Sequence, residues 1–255
     1  MRRVLVVPAA GRGSRLGGSV PKVMVPVNGR PMLDHVLDRY ADLADVTLLV
    51  LHPDSADQVG KHVKQRGKAV ELLFQDQPTG MLDAILIPRL RVAEINPDEV
   101  WVTWCDQVAV GKRTVQRLAQ AMVTGPEPEL TFPTVMMAPP YIHFARGQGG
   151  TIERVLQRRE GDAMPSEGEG DIGLFALTRR AYLESLPAFA MAASAGAGTG
   201  ERNFLPFIPW LAARLLVRTI PATTPMEAVG INTPGDLEVI GRYLADQESS
   251  SSRKP

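Results

Sequence analysis

Val4-Leu5-Val6-Val7-Pro8-Ala9-Ala10-Gly11-Arg12-Gly13-Ser14-Arg15-Leu16, followed shortly by Pro21-Lys22, is the stretch from which the rest of the chain can be read. An apolar run breaks into small residues and two glycines one apart, with Arg12, Arg15 and Lys22 close behind. That pattern describes a buried strand feeding a tight loop. Gly11 and Gly13 carry no Cβ to shield their amides, so the backbone can approach a ligand closely. Exposed amides beside cations suit an anion, above all a phosphate chain. A turn that merely reverses the chain would share the glycines but would not account for the clustered cations. Two familiar phosphate motifs are excluded. The dinucleotide fingerprint needs a third glycine where Leu16 stands, and no Gly-Lys-Ser/Thr tripeptide occurs anywhere in the chain.

Working outward, apolar runs alternate with helical periodicity. Residues 31–43 read as a helix with Pro31 at its first turn. A continuous apolar run at 46–51 reads as a buried strand. A polar helix at 55–65 closes at Gly67, a strand at 70–74 ends in a polar loop to Gly80, a helix covers 81–90, and a strand at 100–104 ends at Asp106. Such alternation implies a mostly parallel sheet with helices on both faces. Ligands of such sheets sit beyond the carboxyl ends of the strands. The second half is less regular. Strands are expected at 130–137, 151–156, 171–177, 216–220 and 227–231, with a glycine turn at 147–150. A charged loop is expected at 158–170 and a flexible Ala/Gly/Ser loop at 192–200. Helices are expected at 179–186, 204–215 and 233–244, and a disordered tail at 247–255. The fold class is therefore α/β, a Rossmann-like three-layer arrangement with a mixed, mainly parallel sheet. Residues 1–246 are taken as one domain, with a donor half to about 110 and an acceptor half beyond it.

Lys+Arg and Asp+Glu both number 28, and this balance argues against a nucleic-acid-binding surface. A single cysteine, Cys105, excludes an internal disulfide and reads as a packing residue rather than a nucleophile. No apolar run reaches membrane-span length, and the short run after Arg2-Arg3 reads as a strand rather than a leader. A cytoplasmic protein with no membrane partner is expected. The four histidines are scattered. His35 and His62 read as surface or packing residues, and His143 is kept as a weak candidate.

The opening loop, with Pro21-Lys22 and the continuation Val25-Pro26-Val27-Asn28-Gly29-Arg30-Pro31-Met32-Leu33, resembles the signature of the sugar-phosphate nucleotidyltransferases, and within them the uridylyltransferase domains that make UDP-N-acetylglucosamine. The resemblance implies transfer of NMP from an NTP, with UTP favoured, to a sugar 1-phosphate, with Mg2+ as cofactor. Ala9, Ala10, Gly11, Arg12, Gly13, Ser14, Arg15 and Lys22 would hold the triphosphate. Arg15, Lys22 and Asp106 would carry the catalysis. A cytidylyl- or guanylyltransferase of the same fold acting on another phosphate, a non-catalytic nucleotide-binding relative and a nicotinamide oxidoreductase stay open as rivals.

Asp106, a carboxylate at the carboxyl edge of a parallel sheet, is a natural Mg2+ ligand. Taken alone it also reads as a loop cap, and Asn232 alone reads equally as a helix N-cap before Thr233-Pro234. The family pattern implies that Asp106 and Asn232 share the metal. Gln75 has both donor and acceptor, enough to read a uracil edge, and residues 75–80 resemble the family's base-reading segment. There the family continues Gly-Thr-Gly, whereas this chain has Gly80-Met81-Leu82. By resemblance, Gln157, Glu169, Asp171 and Glu227 would bind the acceptor. Gln157 replaces a glutamate and Asp171 an asparagine, so the acceptor hydrogen-bond pattern differs from that of N-acetylglucosamine 1-phosphate enzymes.

Overall fold

The computed structural model describes residues 1–11, 13, 16, 17, 20–67 and 69–251. Arg12, Ser14 and Arg15 lie outside the described residues. The opening apolar run is strand β1 (Arg3–Ala9). A small pair, β2 (Pro26–Val27) and β3 (Arg30–Pro31), turns at Asn28 and Gly29, both at positive φ. Helix α1 (Met32–Arg39) follows, then β4 (Val46–Leu51) and α2 (Ala56–Arg66), which ends at Gly67 in the left-handed region. After β5 (Val70–Phe74), the helix expected over 81–90 is two, α3 (Met81–Leu86) and α4 (Arg89–Ile95). Pro88 separates them because it has no N–H to offer the preceding turn. Strand β6 (Glu99–Thr103) and helix α5 (Lys112–Val123) lead to β7 (Leu130–Met137). The glycine turn closes a hairpin of β8 (Ile142–Arg146) and β9 (Ile152–Gln157).

The strand expected at 171–177 is broken into β10 (Gly168–Asp171) and β11 (Leu174–Thr178), with Gly173 at φ 69° between them. A π-helical turn at Ala181–Ser185 runs into α6 (Leu186–Ala192), followed by α7 (Phe207–Ala212), β12 (Val217–Pro221) and α8 (Pro234–Ser251). Two expectations are corrected. Residues 227–231 form no strand: Thr224 caps a 3-10 turn at Pro225–Ala228, and the following segment is held by Ile231 N donating to Asp106 O at 3.2 Å. The tail is helical as far as Ser251 rather than disordered; residues 252–255 are not among those described.

Eight strands form the main sheet, seven of them in the order β12, β7, β11, β6, β1, β4, β5. β10 shares with β11 the edge of β7 that β12 does not occupy. β1, β4, β5 and β6 are mutually parallel, and β11 runs against both β6 and β7. Along β1, Leu5 and Val7 enter a core with α1, α2, α5 and α8, while Val4 and Val6 enter a second core with α3, α4, α6 and α7. This alternation makes three layers, because a strand buried on both faces needs apolar residues at every position. Val4 to Val7 are each 0% exposed, and burying one such side chain contributes about 2 kcal/mol. The second core is aromatic at its centre, with Phe175 5.3 Å from Trp104 and 5.1 Å from Phe204, ring centroid to centroid. The layering sends the carboxyl ends of β1, β4, β5 and β6 to one edge.

At that edge the loop after β5 is zipped to a distant segment: Arg202 N donates to Thr79 O at 2.8 Å and Leu82 N donates to Arg202 O at 3.0 Å. Gly80 sits between them at φ 124°, and a Cβ there would lie 2.4 Å from the Arg202 backbone N and O. Strain and overlap with backbone act together, so Gly80→Ala is expected to lower the unfolding free energy by about 3 kcal/mol. Urea denaturation of the two proteins measures this.

Candidate active site

A cleft of about 1000 Å³ opens at the carboxyl edge, lined by Ala9, Ala10 and Gly11 after β1, His52 after β4, Gln75 after β5 and Asp106 after β6. Lys22 stands in a single 3-10 turn after Pro21. Its Nζ donates to Asp106 Oδ2 at 2.5 Å and to Asn232 Oδ1 at 2.8 Å. Both side chains of the ion pair are largely buried, at 12% and 14% exposure, so water screens their attraction less than on an open surface. Gly13 packs on Lys22: at φ 62°, a Cβ there would lie 2.9 Å from the lysine Cβ.

The two readings of Asn232 separate in the structure. Thr233 Oγ1 accepts from Asp236 N at 3.2 Å, while Asp236 Oδ2 accepts from Asn232 N at 3.0 Å and Thr233 N at 2.8 Å. This reciprocal cap at α8 is made by Thr233 and Asp236. The Asn232 side chain is thereby left to face Lys22, with its amide donating to Gly230 O at 3.2 Å.

Gln75 is 8% exposed, and its Nε2 donates to Thr79 Oγ1 and Gly80 O, each at 3.2 Å. These bonds hold the loop rather than a ligand, and leave the side-chain carbonyl of Gln75 with no hydrogen bond among the described residues. Gln157 and Asp171 line the far end of the cleft. Asp171 Oδ1 accepts from Gly173 N at 2.7 Å, and burial pushes its carboxyl up to about 6.

Two expected acceptor residues are elsewhere. Glu169 faces Arg146 of β8, which donates to both carboxylate oxygens at 2.7 Å, and it does not line the cleft. Glu227 is 1% exposed and fully engaged: it accepts from Gly111 N at 2.8 Å, from Thr114 Oγ1 at 2.8 Å and from Thr223 N at 3.0 Å. Its carboxylate ties α5 to the turn after β12. His143 also lies outside the cleft lining, its Nδ1 accepting from Glu169 N at 3.1 Å. His35 and His62 are bonded to Val27 O and Asp34 respectively. Cys105 touches the cleft, but burial pushes its thiol up to about 12, which leaves it inert as a nucleophile at neutral pH.

The structure adds residues the sequence reading passed over. His52 follows β4 at the carboxyl edge, so the edge rule itself could have found it. Trp104, Glu160, Glu201 and Asn203 had no such signal. Glu160 accepts from Gly198 N at 2.9 Å, Thr199 Oγ1 at 2.7 Å and Asn203 Nδ2 at 2.8 Å. One carboxylate therefore ties down the loop expected to be flexible. No helix among the described residues is long and apolar enough to cross a membrane.

A lysine bridging a carboxylate and an amide oxygen thus stands at the carboxyl edge of a three-layer sheet. The MobA-like NTP transferase domain matches residues 5–205. The chain belongs to that family and is by class a nucleotidyltransferase. It is 31% identical over 164 residues to the bifunctional protein GlmU of Burkholderia mallei (strain SAVP1), covering 64% of this chain and 34% of that protein. It is 30% identical over 178 residues to the GlmU of Pseudomonas aeruginosa (strain LESB58), covering 68% and 37%. The matched region spans about a third of the length of these relatives. Among solved structures, a CMP:2-keto-3-deoxy-manno-octonic acid synthetase complexed with CTP shares the fold, with TM-score 0.69 and 19% identity over 97% of this chain and 100% of that one.

Glu227→Ala would leave two backbone amides and the Thr114 hydroxyl without their acceptor. A loss of about 3 kcal/mol in unfolding free energy is expected, with nucleotide affinity of the folded protein unchanged. Chemical denaturation and nucleotide titration check the two halves.

Proposed function

We propose that the protein transfers NMP from an NTP, with UTP favoured, to a sugar 1-phosphate, releasing pyrophosphate. The observation that carries this reading is the Lys22 ammonium between Asp106 Oδ2 and Asn232 Oδ1, beside the Gly11 loop. In the reaction an oxygen of the acceptor phosphate forms a bond to the α-phosphorus. The bond from that phosphorus to the bridging oxygen breaks, and its electron pair leaves with pyrophosphate. The acceptor phosphate is already anionic, so no strong general base is needed. Positioning and charge neutralisation supply the acceleration.

In this reading the amides around Gly11 and Gly13 hold the triphosphate, with Arg12 and Ser14 beside them and Arg15 neutralising the leaving pyrophosphate. Lys22 reaches the α-phosphate and the acceptor phosphate. Gln75, on the loop that ends at Gly80, reads the base. Gln157 and Asp171 meet the acceptor. Glu169 and Glu227, engaged elsewhere, are left out of the set.

The donor atoms at Lys22 suit magnesium. Among the described residues no group of three or more His, Cys, Asp or Glu gathers for a metal. One carboxylate and one amide oxygen directed at a common cation fit a hard ion that takes its remaining ligands from phosphate and water. Asp106 and Asn232 would hold it, and when bound it would offset negative charge on the transferring phosphates.

The test is a matrix of UTP, CTP, GTP and dTTP against hexose 1-phosphates with Mg2+, read by pyrophosphate release. Turnover is expected with UTP first. Lys22→Ala and Asp106→Ala are each expected to lower kcat/KM by about 10²-fold or more, the scale of a lost transition-state electrostatic partner. If no pair gives turnover that Asp106→Ala abolishes, the reading fails.

A further inference from the structure

The acceptor end of the cleft carries a charge that nucleotidyl transfer leaves unused. Asp171 lines it, and one of its oxygens is occupied by Gly173 N at 2.7 Å. No lysine or arginine among the described residues pairs with this carboxylate. Gln107 lines the same cleft at 9% exposure, and its Oε1 is buried with no hydrogen-bond donor. Gly173 packs against Gln107 and Trp104. A Cβ there would lie 2.7 Å from Gln107 Cγ and 2.3 Å from Trp104 Cδ1, so only glycine lets the β10–β11 bend approach this closely. Of the lysine and arginine residues of the lining, Lys22 faces Asp106 and Asn232, and Arg159 lies 3.7 Å from Glu201.

A half-buried carboxylate that lines the cleft with no cation among the described residues is a charge without a partner. Such a charge is costly unless something pairs it. A neutral hydroxyl would supply a hydrogen bond but leave the charge, whereas an ammonium supplies both donors and the opposite charge. Asp171 also stands where the related pattern has an asparagine, and an amide in that place would carry no charge to pair. Burial alone pushes the Asp171 carboxyl up to about 6, and a bound cation would draw it back toward the ionised form.

We propose that this end of the cleft selects an acceptor phosphate bearing a primary ammonium group, an amino sugar phosphate in its free-amine form, with Asp171 as its ion-pair partner. This rests on the reading of the cleft as a site for sugar 1-phosphates.

The test is equilibrium titration of the full chain with three probes: a 2-amino-2-deoxyhexose 1-phosphate, its N-acetyl derivative and the parent hexose 1-phosphate. The free amine is expected to bind roughly 10-fold more tightly than the parent, the scale of a desolvated charge pair. Asp171→Asn, which keeps an oxygen for Gly173 N, is expected to erase that margin, so that the free amine and the parent bind alike. Asp171→Ser serves the same comparison if the first variant folds poorly. Equal binding of amine and parent, no binding of any probe, or a preference that survives both substitutions overturns the proposal. Pyrophosphate release is read separately. A free-amine preference lost in Asp171→Asn, without turnover by any NTP, would sustain the selection and sink the transferase reading.

Discussion

A single ammonium group organises the site. Lys22 Nζ donates to an oxygen of Asp106, 84 residues away, and to one of Asn232, 210 residues away. Each partner comes from a different part of the chain. Asp106 is placed by β6, next to β1 and parallel to it. Asn232 is placed by Ile231 N on the Asp106 carbonyl and by the Thr233–Asp236 cap of α8. The lysine is oriented by the loop leaving β1, through the close packing of Gly13. Three constraints from three parts of the chain meet at one cation, so the donor half of the cleft stands or falls with the packing of the sheet.

The antiparallel element explains how the acceptor half reaches the same edge. In an all-parallel sheet only the ends of strands arrive there. Because β11 runs against β6, its start lies beside the end of β6, and Gly173 O accepts from Trp104 N at 2.9 Å. Asp171, two residues before Gly173, is thereby brought to the cleft. The break at Gly173 allows the chain to leave β10 and enter β11 while the indole of Trp104 fills the angle. Function and core packing meet here, since the same indole contacts Phe175 and Phe204 of the aromatic core.

The rim is knitted by loops holding loops. Gly80 and Arg202 join the base-side loop to the far wall, and Arg202 reaches Asp83 at 2.5 Å. Glu160 gathers Gly198, Thr199 and Asn203. Such ties replace the secondary structure that these segments lack, giving buried backbone amides their partners.

By itself the sequence determined the α/β class, most strands of the parallel half and the residues that follow β5 and β6. These are local signals: apolar runs of strand length, glycines without Cβ, and polar residues at strand ends. It also carried Lys22, Asp106 and Asn232 as separate candidates, though not their meeting at one point. Only the tertiary structure decided that Asn232 faces the lysine while Thr233 caps α8, and that Glu227 is a buried structural tie. It likewise turned Glu169 toward Arg146 and brought Gln107, Glu160 and Trp104 to the cleft. The physical reason is that a carboxylate's role depends on which donors lie within hydrogen-bond reach. In this chain those donors come from segments tens to hundreds of residues away, which no local pattern records.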